Sequence, residues 1–192
     1  MKGRDEPATT KPKAATTKPV TRRLFFAFWP DDAVRALVAQ STRKAVRNSG
    51  GRPVPVENLH STIVFLGAVP AERLNAVEAV AEMLRHGPLE LRFDTLDHWV
   101  KAAVLVLTSR APLPAATDLA TALNRLLLAQ GFAPDPKPYR PHITIARKVV
   151  KPHELGLTHP IAWPVDAISL VESVTAPAGP VYTPLRQWPL RA

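Results

Sequence analysis

Two stretches, LHSTIVFLG at residues 59–67 and PHITIAR at residues 141–147, decide how this chain folds. Each contains a His-x-Thr-apolar pattern among β-branched residues, which are typical of strands. Side chains alternate across a strand, so the histidine and the threonine two positions later share one face. The two pairs are His60 with Thr62 and His142 with Thr144. The sequence therefore offers two imidazoles, each next to a hydroxyl donor.

Similar elements precede the two motifs. Before the first, RLFFAFW (23–29) predicts a strand, and residues 31–48 predict a helix. Before the second, AAVLVLTS (102–109) predicts a strand, and residues 113–130 predict a helix that Gly131 ends. A strand–helix–strand unit thus recurs with a His/Thr strand in each copy, and we expect two similar lobes that share a cleft. Further strands are expected at 60–69, 89–100, 142–150, 165–175 and 181–190, and a further helix at 70–85.

The composition limits the class of protein. With 46% hydrophobic and 21% charged residues, the 192 residues can form a hydrophobic core. The sequence has no run of about 18 apolar residues and no apolar stretch of a secretory signal, so we expect no membrane span and a cytoplasmic protein. The absence of cysteine excludes disulfides, thiolate metal sites and a cysteine nucleophile.

The net charge of +9 is concentrated at the N-terminus. Residues 1–23 hold seven basic and two acidic side chains, with almost no large apolar residue. Such a segment cannot bury enough surface to offset the entropy of ordering. We therefore expect residues 1–21 to be a disordered basic tail and residues 22–192 to be a single domain. The tail either attracts RNA phosphates or is a solubilising extension.

Two histidines that face one cleft suit the cleavage of a phosphodiester without a metal. Imidazole titrates near neutral pH, so one histidine can take a proton from water while the other gives a proton to the leaving oxygen. The hydroxyls of Thr62 and Thr144 can donate to the phosphoryl oxygens. Arg147 can add a permanent positive charge, but strand alternation places it on the face opposite His142, so a bend near Ala146 is required.

Three stretches carry a resemblance to a known family: RRLFFAFWPDD (22–32), RPVPVENLHSTIVFLGAVP (52–70) and PYRPHITIARKV (138–149). Together they resemble the RNA 2′,3′-cyclic phosphodiesterases of bacteria and archaea, once called 2′-5′ RNA ligases, in the two-histidine (2H) phosphoesterase superfamily. The resemblance covers roughly residues 22–190. It implies an α+β fold of two pseudo-symmetric lobes, each with a largely antiparallel sheet and flanking helices, around a central cleft.

The resemblance also implies an activity: metal-independent hydrolysis of the 2′,3′-cyclic phosphate at an RNA end to a 2′-phosphate, with weak reverse 2′-5′ ligation. It implies that His60 is the acid at O3′ and His142 the base on water, although the near-symmetry of the two motifs leaves the opposite assignment open. Thr62, Thr144 and Arg147 then bind the phosphate, and no metal or other cofactor takes part.

Other residues have simpler interpretations. Ser61 stands where the family usually has an apolar residue, and we expect its hydroxyl to face the interior and bond a nearby carbonyl. Phe25 and its phenylalanine neighbours are interpreted as core, although one aromatic at the cleft could stack a nucleobase. Arg52 and Arg140 are interpreted as solvated surface residues, the alternative being an electropositive groove. The four tryptophans are too widely spread to assign.

Three functions stay open. The leading one is the RNA phosphodiesterase, expected to be a monomer because the two halves complete the site. The second is a phosphodiesterase for small cyclic nucleotides or 2′-5′ oligonucleotides, which the length of the groove would distinguish. The third is a non-catalytic module that binds RNA ends, which would ordinarily have lost one histidine, and neither is lost here.

Overall fold

The computed structural model describes residues 20–150, 157, 159–177 and 179–192. The strands are β1 (Thr21–Phe28), β2 (Arg52–Pro53), β3 (Ser61–Pro70), β4 (Leu89–Phe93), β5 (Thr95–Trp99), β6 (Val104–Thr108), β7 (Ile143–Arg147), β8 (Ile161–Val165), β9 (Ala167–Ala176) and β10 (Gly179–Pro189). The helices are α1 (Asp32–Asn48), α2 (Leu74–Met83) and α3 (Pro114–Ala129). Of the expected tail, residues 1–19 lie outside the described residues, and Thr21 already belongs to β1.

Two four-stranded sheets frame the fold. The first has the strand order β10-β9-β1-β3, and the second has the order β2-β7-β6-β5. A separate ribbon pairs β4 with β8. All the strand pairs in the described part of the chain are antiparallel. The predicted α+β class with largely antiparallel sheets is confirmed. In the same described part, no helix is long and apolar enough to span a membrane.

The repeated unit is β1-α1-β3 in the first sheet and β6-α3-β7 in the second. The helix of each unit contacts the sheet of the other unit. Helix α1, which follows β1, contacts β7 of the second sheet, and α3, which follows β6, contacts β3 of the first. Both sheets contribute to one hydrophobic core, in which Phe26 of β1 and Leu107 of β6 are fully buried. The lobes therefore share a core, and each repeated unit supports the sheet of the other.

Several elements differ from the sequence-based expectation: the short strand β2 was not predicted, and β7 ends at Arg147, three residues before the end of the predicted strand. The strand predicted at 89–100 is divided at Asp94 into β4 and β5, which join different sheets. Strand β8 was not predicted, because Pro164 removes a donor and suits only a peripheral position such as this two-stranded ribbon. Helix α2 begins four residues later than predicted, since Pro70 still pairs with Thr21 and residues 71–73 form a 3₁₀ turn.

Gly51 allows the chain to approach the end of β7 closely. Strand β2 begins at the next residue and pairs with β7, with Arg52 opposite Arg147. A Cβ atom at position 51 would lie 2.7 Å from Cγ2 of Val149 and 2.9 Å from the carbonyl oxygen of Arg147. Since Val149 is buried, neither neighbour has open space to move into. This position therefore requires a residue without a side chain.

Replacing Gly51 by alanine is expected to lower the free energy of unfolding by about 1–3 kcal/mol, the usual cost of adding atoms to a packed site. Urea denaturation measures the change. Gly87→Ala is the control, because a Cβ there would meet nothing within 4 Å. Equal destabilisation by the two substitutions would contradict the close approach.

Candidate active site

His60 and His142 lie directly before β3 and β7, one in each sheet of the pseudo-symmetric pair. A cavity of about 280 Å³ lies between the sheets and is lined by residues of both. All five site residues predicted from the sequence line this cavity: His60, Thr62, His142, Thr144 and Arg147. We call it the central cavity. The fold thus brings both His/Thr pairs to one cavity.

A one-residue bulge in β7 brings Arg147 into the central cavity. Thr144 and Ala146 pair with consecutive residues of β6, so Ile145 is the extra residue. The extra residue shifts the alternation of side chains by one position, and Arg147 therefore turns to the face that carries Thr144. Ile145 and Ala146 are both buried on the core side. This bulge is the bend near Ala146 that the sequence required.

Strand β3 contains the same irregularity. Thr62 and Val64 pair with consecutive residues of β1, so Ile63 is extra. Phe65 consequently takes the place in β3 that Arg147 takes in β7, and it too lines the central cavity. Arg23 of β1 lies over this ring, with its guanidinium carbon 5.2 Å from the ring centroid. The same one-residue bulge thus places an aromatic ring of the first sheet and a cation of the second sheet in the cavity.

The imidazole of His60 is enclosed by aromatic rings. Trp29 stacks on it with 5.5 Å between centroids and 15° between planes. The other two rings are Phe25, at 5.1 Å, and Tyr182, at 5.0 Å. Nδ1 of His60 lies 2.7 Å from the carbonyl oxygen of Asn58, so Nδ1–H donates to that carbonyl. Nε2 then accepts a hydrogen bond from the Thr62 hydroxyl at 3.0 Å.

The imidazole of His142 is held in the same way. Its Nδ1 lies 2.7 Å from the carbonyl oxygen of Arg140, two residues earlier in the chain. The ring packs against Trp99 with 4.5 Å between centroids. The guanidinium of Arg140 pairs with Asp97 at 3.0 Å and lies 5.4 Å from the Trp99 centroid, so Arg140 has a structural partner as well as exposure to solvent. In each histidine the carbonyl fixes Nδ1–H, which leaves Nε2 as the basic atom.

Both histidines favour the neutral state. The pKa of His60 is lowered to about 4, mainly by burial, which outweighs the opposing hydrogen bond to the Asn58 carbonyl, and to a smaller extent by the charges of His142 and Arg147. Burial also lowers the pKa of His142, against the bond to the Arg140 carbonyl, and the charges of Arg140 and Arg147 add to that decrease. At neutral pH both Nε2 atoms are therefore unprotonated.

Ser61 faces the interior, as predicted, and is fully buried. The expected hydrogen bond to a carbonyl is wrong: among the described residues, its Oγ has no hydrogen-bond partner. The buried Tyr139 hydroxyl is the polar group beside it. Burial raises the pKa of Tyr139, and the Ser61 hydroxyl opposes that increase.

Several residues of the central cavity were not identified from the sequence. They are Arg23, Phe65, Trp99 and Tyr182. Phe25 was interpreted as core, but it belongs to a small apolar cluster that borders the cavity, whereas Phe26 and Phe28 lie in the main core. Only Phe65 had a sequence signal, its place five residues after the motif histidine, which corresponds to Arg147. The others come from strands that carry no motif.

The central cavity is suited to an anion. Arg23 and Arg147 contribute permanent positive charge, and no carboxylate is among the described residues that line it. The described residues also contain no group of three His, Asp or Glu side chains that could hold a metal ion. The expectation that the chemistry needs no metal stays a prediction.

Comparison with known proteins places the chain in a family. The sequence model described as the 2′-5′ RNA ligase superfamily matches residues 29–176, more than half of the chain. The chain belongs to this superfamily. It is 32% identical over 179 residues to the RNA 2′,3′-cyclic phosphodiesterase of Thermus thermophilus, a match that covers 88% of this chain and 90% of the relative. It is 30% identical over 174 residues to the RNA 2′,3′-cyclic phosphodiesterase of Escherichia coli, covering 88% and 97%.

A solved structure agrees with these matches. The crystal structure of E. coli LigT complexed with 3′-AMP superposes with a TM-score of 0.81 at 30% identity. The superposition covers 89% of this chain and 99% of that chain. The family and the fold expected from the two motifs are both confirmed.

The lowered pKa of His60 predicts a specific loss of stability in acid. The unfolded chain takes up this proton near pH 6.5 but the folded protein only near pH 4, so the stability present at pH 7 falls as the pH drops through this interval. The loss from His60 reaches roughly 3 kcal/mol at pH 4.

Urea denaturation of the wild type and of His60→Gln at pH 7 and pH 4 measures this contribution. We expect the variant to lose less stability between the two pH values than the wild type. His159→Gln, at an exposed position outside the cavity, serves as control. The same pH dependence in the wild type and in His60→Gln would show that His60 ionises as freely in the folded protein as in the unfolded chain.

Proposed function

We propose that this chain hydrolyses the 2′,3′-cyclic phosphate at RNA ends to a 2′-phosphate by general acid–base catalysis with two histidines. One observation carries the proposal: both His/Thr pairs and Arg147 line a single cavity that has cations and no carboxylate among its described lining residues. Two imidazoles and positive charge are the groups that phosphodiester hydrolysis requires. The matched relatives of known name are RNA 2′,3′-cyclic phosphodiesterases, which supports this substrate class.

The reaction needs two proton transfers. His142 Nε2 takes a proton from water, whose oxygen attacks the phosphorus, and the bond from phosphorus to O3′ breaks. His60 Nε2–H gives its proton to O3′, which leaves as a hydroxyl. The products are a 2′-phosphate, which holds the oxygen of the water, and a free 3′-hydroxyl, which has gained a proton. The step needs no oxidant or reductant. The opposite assignment of acid and base is the alternative that the near-symmetry of the motifs allows.

The acid must be protonated when the substrate is bound, although burial favours the neutral ring in the empty cavity. The cyclic phosphate changes the pKa of His60 when it binds. Its negative charge, placed beside His60 in a site of low polarity, favours the imidazolium form and opposes the effect of burial. Substrate binding and protonation of His60 are therefore coupled, because the bound anion raises the pKa of the imidazole that acts as the acid.

Charge on the phosphoryl oxygens grows as water attacks. The hydroxyls of Thr62 and Thr144 and the guanidinium of Arg147 line the cavity where these oxygens lie, and each can donate to them. In the empty site Thr62 donates to His60 Nε2. When Nε2 carries a proton, the same hydroxyl is released to donate to phosphate.

The aromatic rings of the central cavity supply a place for the nucleobase. Phe65 and Trp99 line it from opposite sheets, and every base can stack on an aromatic face.

The site is complete within one chain, because one His/Thr pair comes from each half. We therefore propose a monomer. The cytoplasmic location stays a prediction from the sequence.

Hydrolysis of a short oligoribonucleotide with a 2′,3′-cyclic phosphate end, in excess EDTA, tests the proposal. We expect turnover without metal and a phosphate located on the 2′ oxygen. A 3′-phosphate product would reverse the orientation of the substrate between the histidines. Tight binding of the RNA without turnover would overturn the enzyme proposal in favour of a binding module.

His60→Ala and His142→Ala are each expected to lower kcat about 10²- to 10⁴-fold, the usual contribution of a positioned acid or base. His159→Ala is the matched control and should keep full activity, because this histidine is exposed and lies outside the cavity. Circular dichroism establishes that the variants are folded. Wild-type activity in either cavity variant would contradict the two-histidine mechanism.

The leaving group distinguishes the acid from the base. A nucleoside 2′-(4-nitrophenyl phosphate) releases a stable phenolate, which needs little help from an acid. His60→Ala should therefore lose much less activity on this ester than on the cyclic phosphate, whereas His142→Ala should lose about the same on both. The reverse pattern would exchange the two assignments.

A further inference from the structure

A second cavity, of about 330 Å³, adjoins the central one. The two share His60, Thr144, Arg147 and Tyr182, so they are parts of one continuous cleft. We call it the side cavity. Its own walls come from β2 and the segment after it, from the end of β7 and from the turn between β9 and β10. The groups proposed to react thus lie at the boundary between two spaces, and the side cavity has no task in the reaction described above.

The side cavity is lined by three cations. They are Arg52, Arg147 and Lys148. Within the described residues no carboxylate lines this cavity. Arg52 and Arg147 lie directly opposite each other in the pairing of β2 with β7. An anion in this cavity would be attracted by the positive charges that line it.

Lys148 adds a second observation that the stability of the fold does not explain. Its backbone has φ of +56°, in the left-handed region that non-glycine residues rarely adopt. The side chain is exposed and makes no hydrogen bond or ion pair with another described residue. A residue such as asparagine would fit this backbone with less strain. The left-handed turn holds the lysine at the mouth of the side cavity, beside Arg147.

We propose that the side cavity binds the phosphate on the 5′ side of the terminal nucleotide, so that an RNA chain is a better substrate than a cyclic mononucleotide. This inference rests on the proposed function, because it is a cyclic phosphate between the histidines that places the rest of the nucleotide. The cyclic phosphate ends the chain on its 3′ side. The only further anion attached to the same nucleotide is therefore its 5′ phosphate, and the cations of the side cavity have the charge to receive it.

Three substrates measure the effect: uridine 2′,3′-cyclic phosphate, the same nucleotide with a 5′-phosphate, and the dinucleotide UpU ending in a 2′,3′-cyclic phosphate. We expect kcat/KM for the second and third to exceed that for the first about tenfold, the scale of a hydrogen bond between charged groups. The gain should shrink as salt is raised, since it depends on contact with a phosphate.

Substitution of Lys148 assigns the gain to the side cavity. Lys148→Asn removes the charge and fits the left-handed backbone, and we expect it to reduce the gain from the 5′ phosphate to about threefold or less. Lys148→Arg keeps the charge and should keep most of the gain. Lys44→Gln is the matched control, because it removes one charge from an exposed position on α1 that lines neither cavity, and its gain should equal that of the wild type.

The possible outcomes separate this inference from the proposed function. No hydrolysis of any of the three substrates would overturn the proposed function. Hydrolysis of all three with equal kcat/KM would leave that function intact and overturn the side-cavity proposal. Competitive inhibition by a 5′-hydroxyl oligonucleotide without any gain from the 5′ phosphate would assign the side cavity to a second RNA strand instead. An equal loss of the gain in Lys44→Gln would trace it to overall charge and also overturn the proposal.

Discussion

The extra residue that follows the threonine in each of β3 and β7 controls the arrangement of the cleft. In an uninterrupted β7, Ala146 would face the cavity and Arg147 would face the core. Because Ile145 is inserted, Ala146 is fully buried and Arg147 lines the cavity. The same event in β3 presents Phe65. The position of Arg147 in the cavity therefore depends on a local irregularity of strand pairing, and deletion of one residue would turn its side chain toward the core.

Burial of the histidines gives the site its electrostatic character. Aromatic rings enclose His60, and a carbonyl two residues earlier fixes the proton on Nδ1 of each histidine. Both imidazoles are consequently neutral, with Nε2 as the basic atom. In the proposed mechanism, an anionic substrate converts one of them to an acid. That coupling is what the proposal requires of two groups whose pKa values are lowered.

The two halves are similar in backbone but not in the side chains that they present. Phe65 and Arg147 occupy corresponding places, and each lies opposite a residue of the neighbouring strand, Phe25 in one half and Val104 in the other. Arg23 lies two residues before Phe25, and Ala102 lies two residues before Val104; both also line the central cavity. At these corresponding places, one half presents an aromatic ring with Arg23 over it, while the other presents Arg147. The two walls of the cleft therefore differ here, as the proposed substrate, with a base and a phosphate, requires.

The sequence by itself determined the family, the two His/Thr pairs, the α+β class and most of the strands and helices. The family follows from the resemblance of the stretches that carry the motifs. The helices and strands depend on local rules: alternation in a strand, a carboxylate at Asp31 that accepts from the Val34 N–H and begins α1, and Gly131 in the left-handed conformation after α3. Only the tertiary structure decided which way Arg147 points, because a bulge depends on the partner strand. It also decided that Trp99 and Tyr182 contact the histidines and that, among the described residues, the Ser61 hydroxyl has no hydrogen-bond partner. Such contacts join residues far apart in the chain, and no local pattern encodes them.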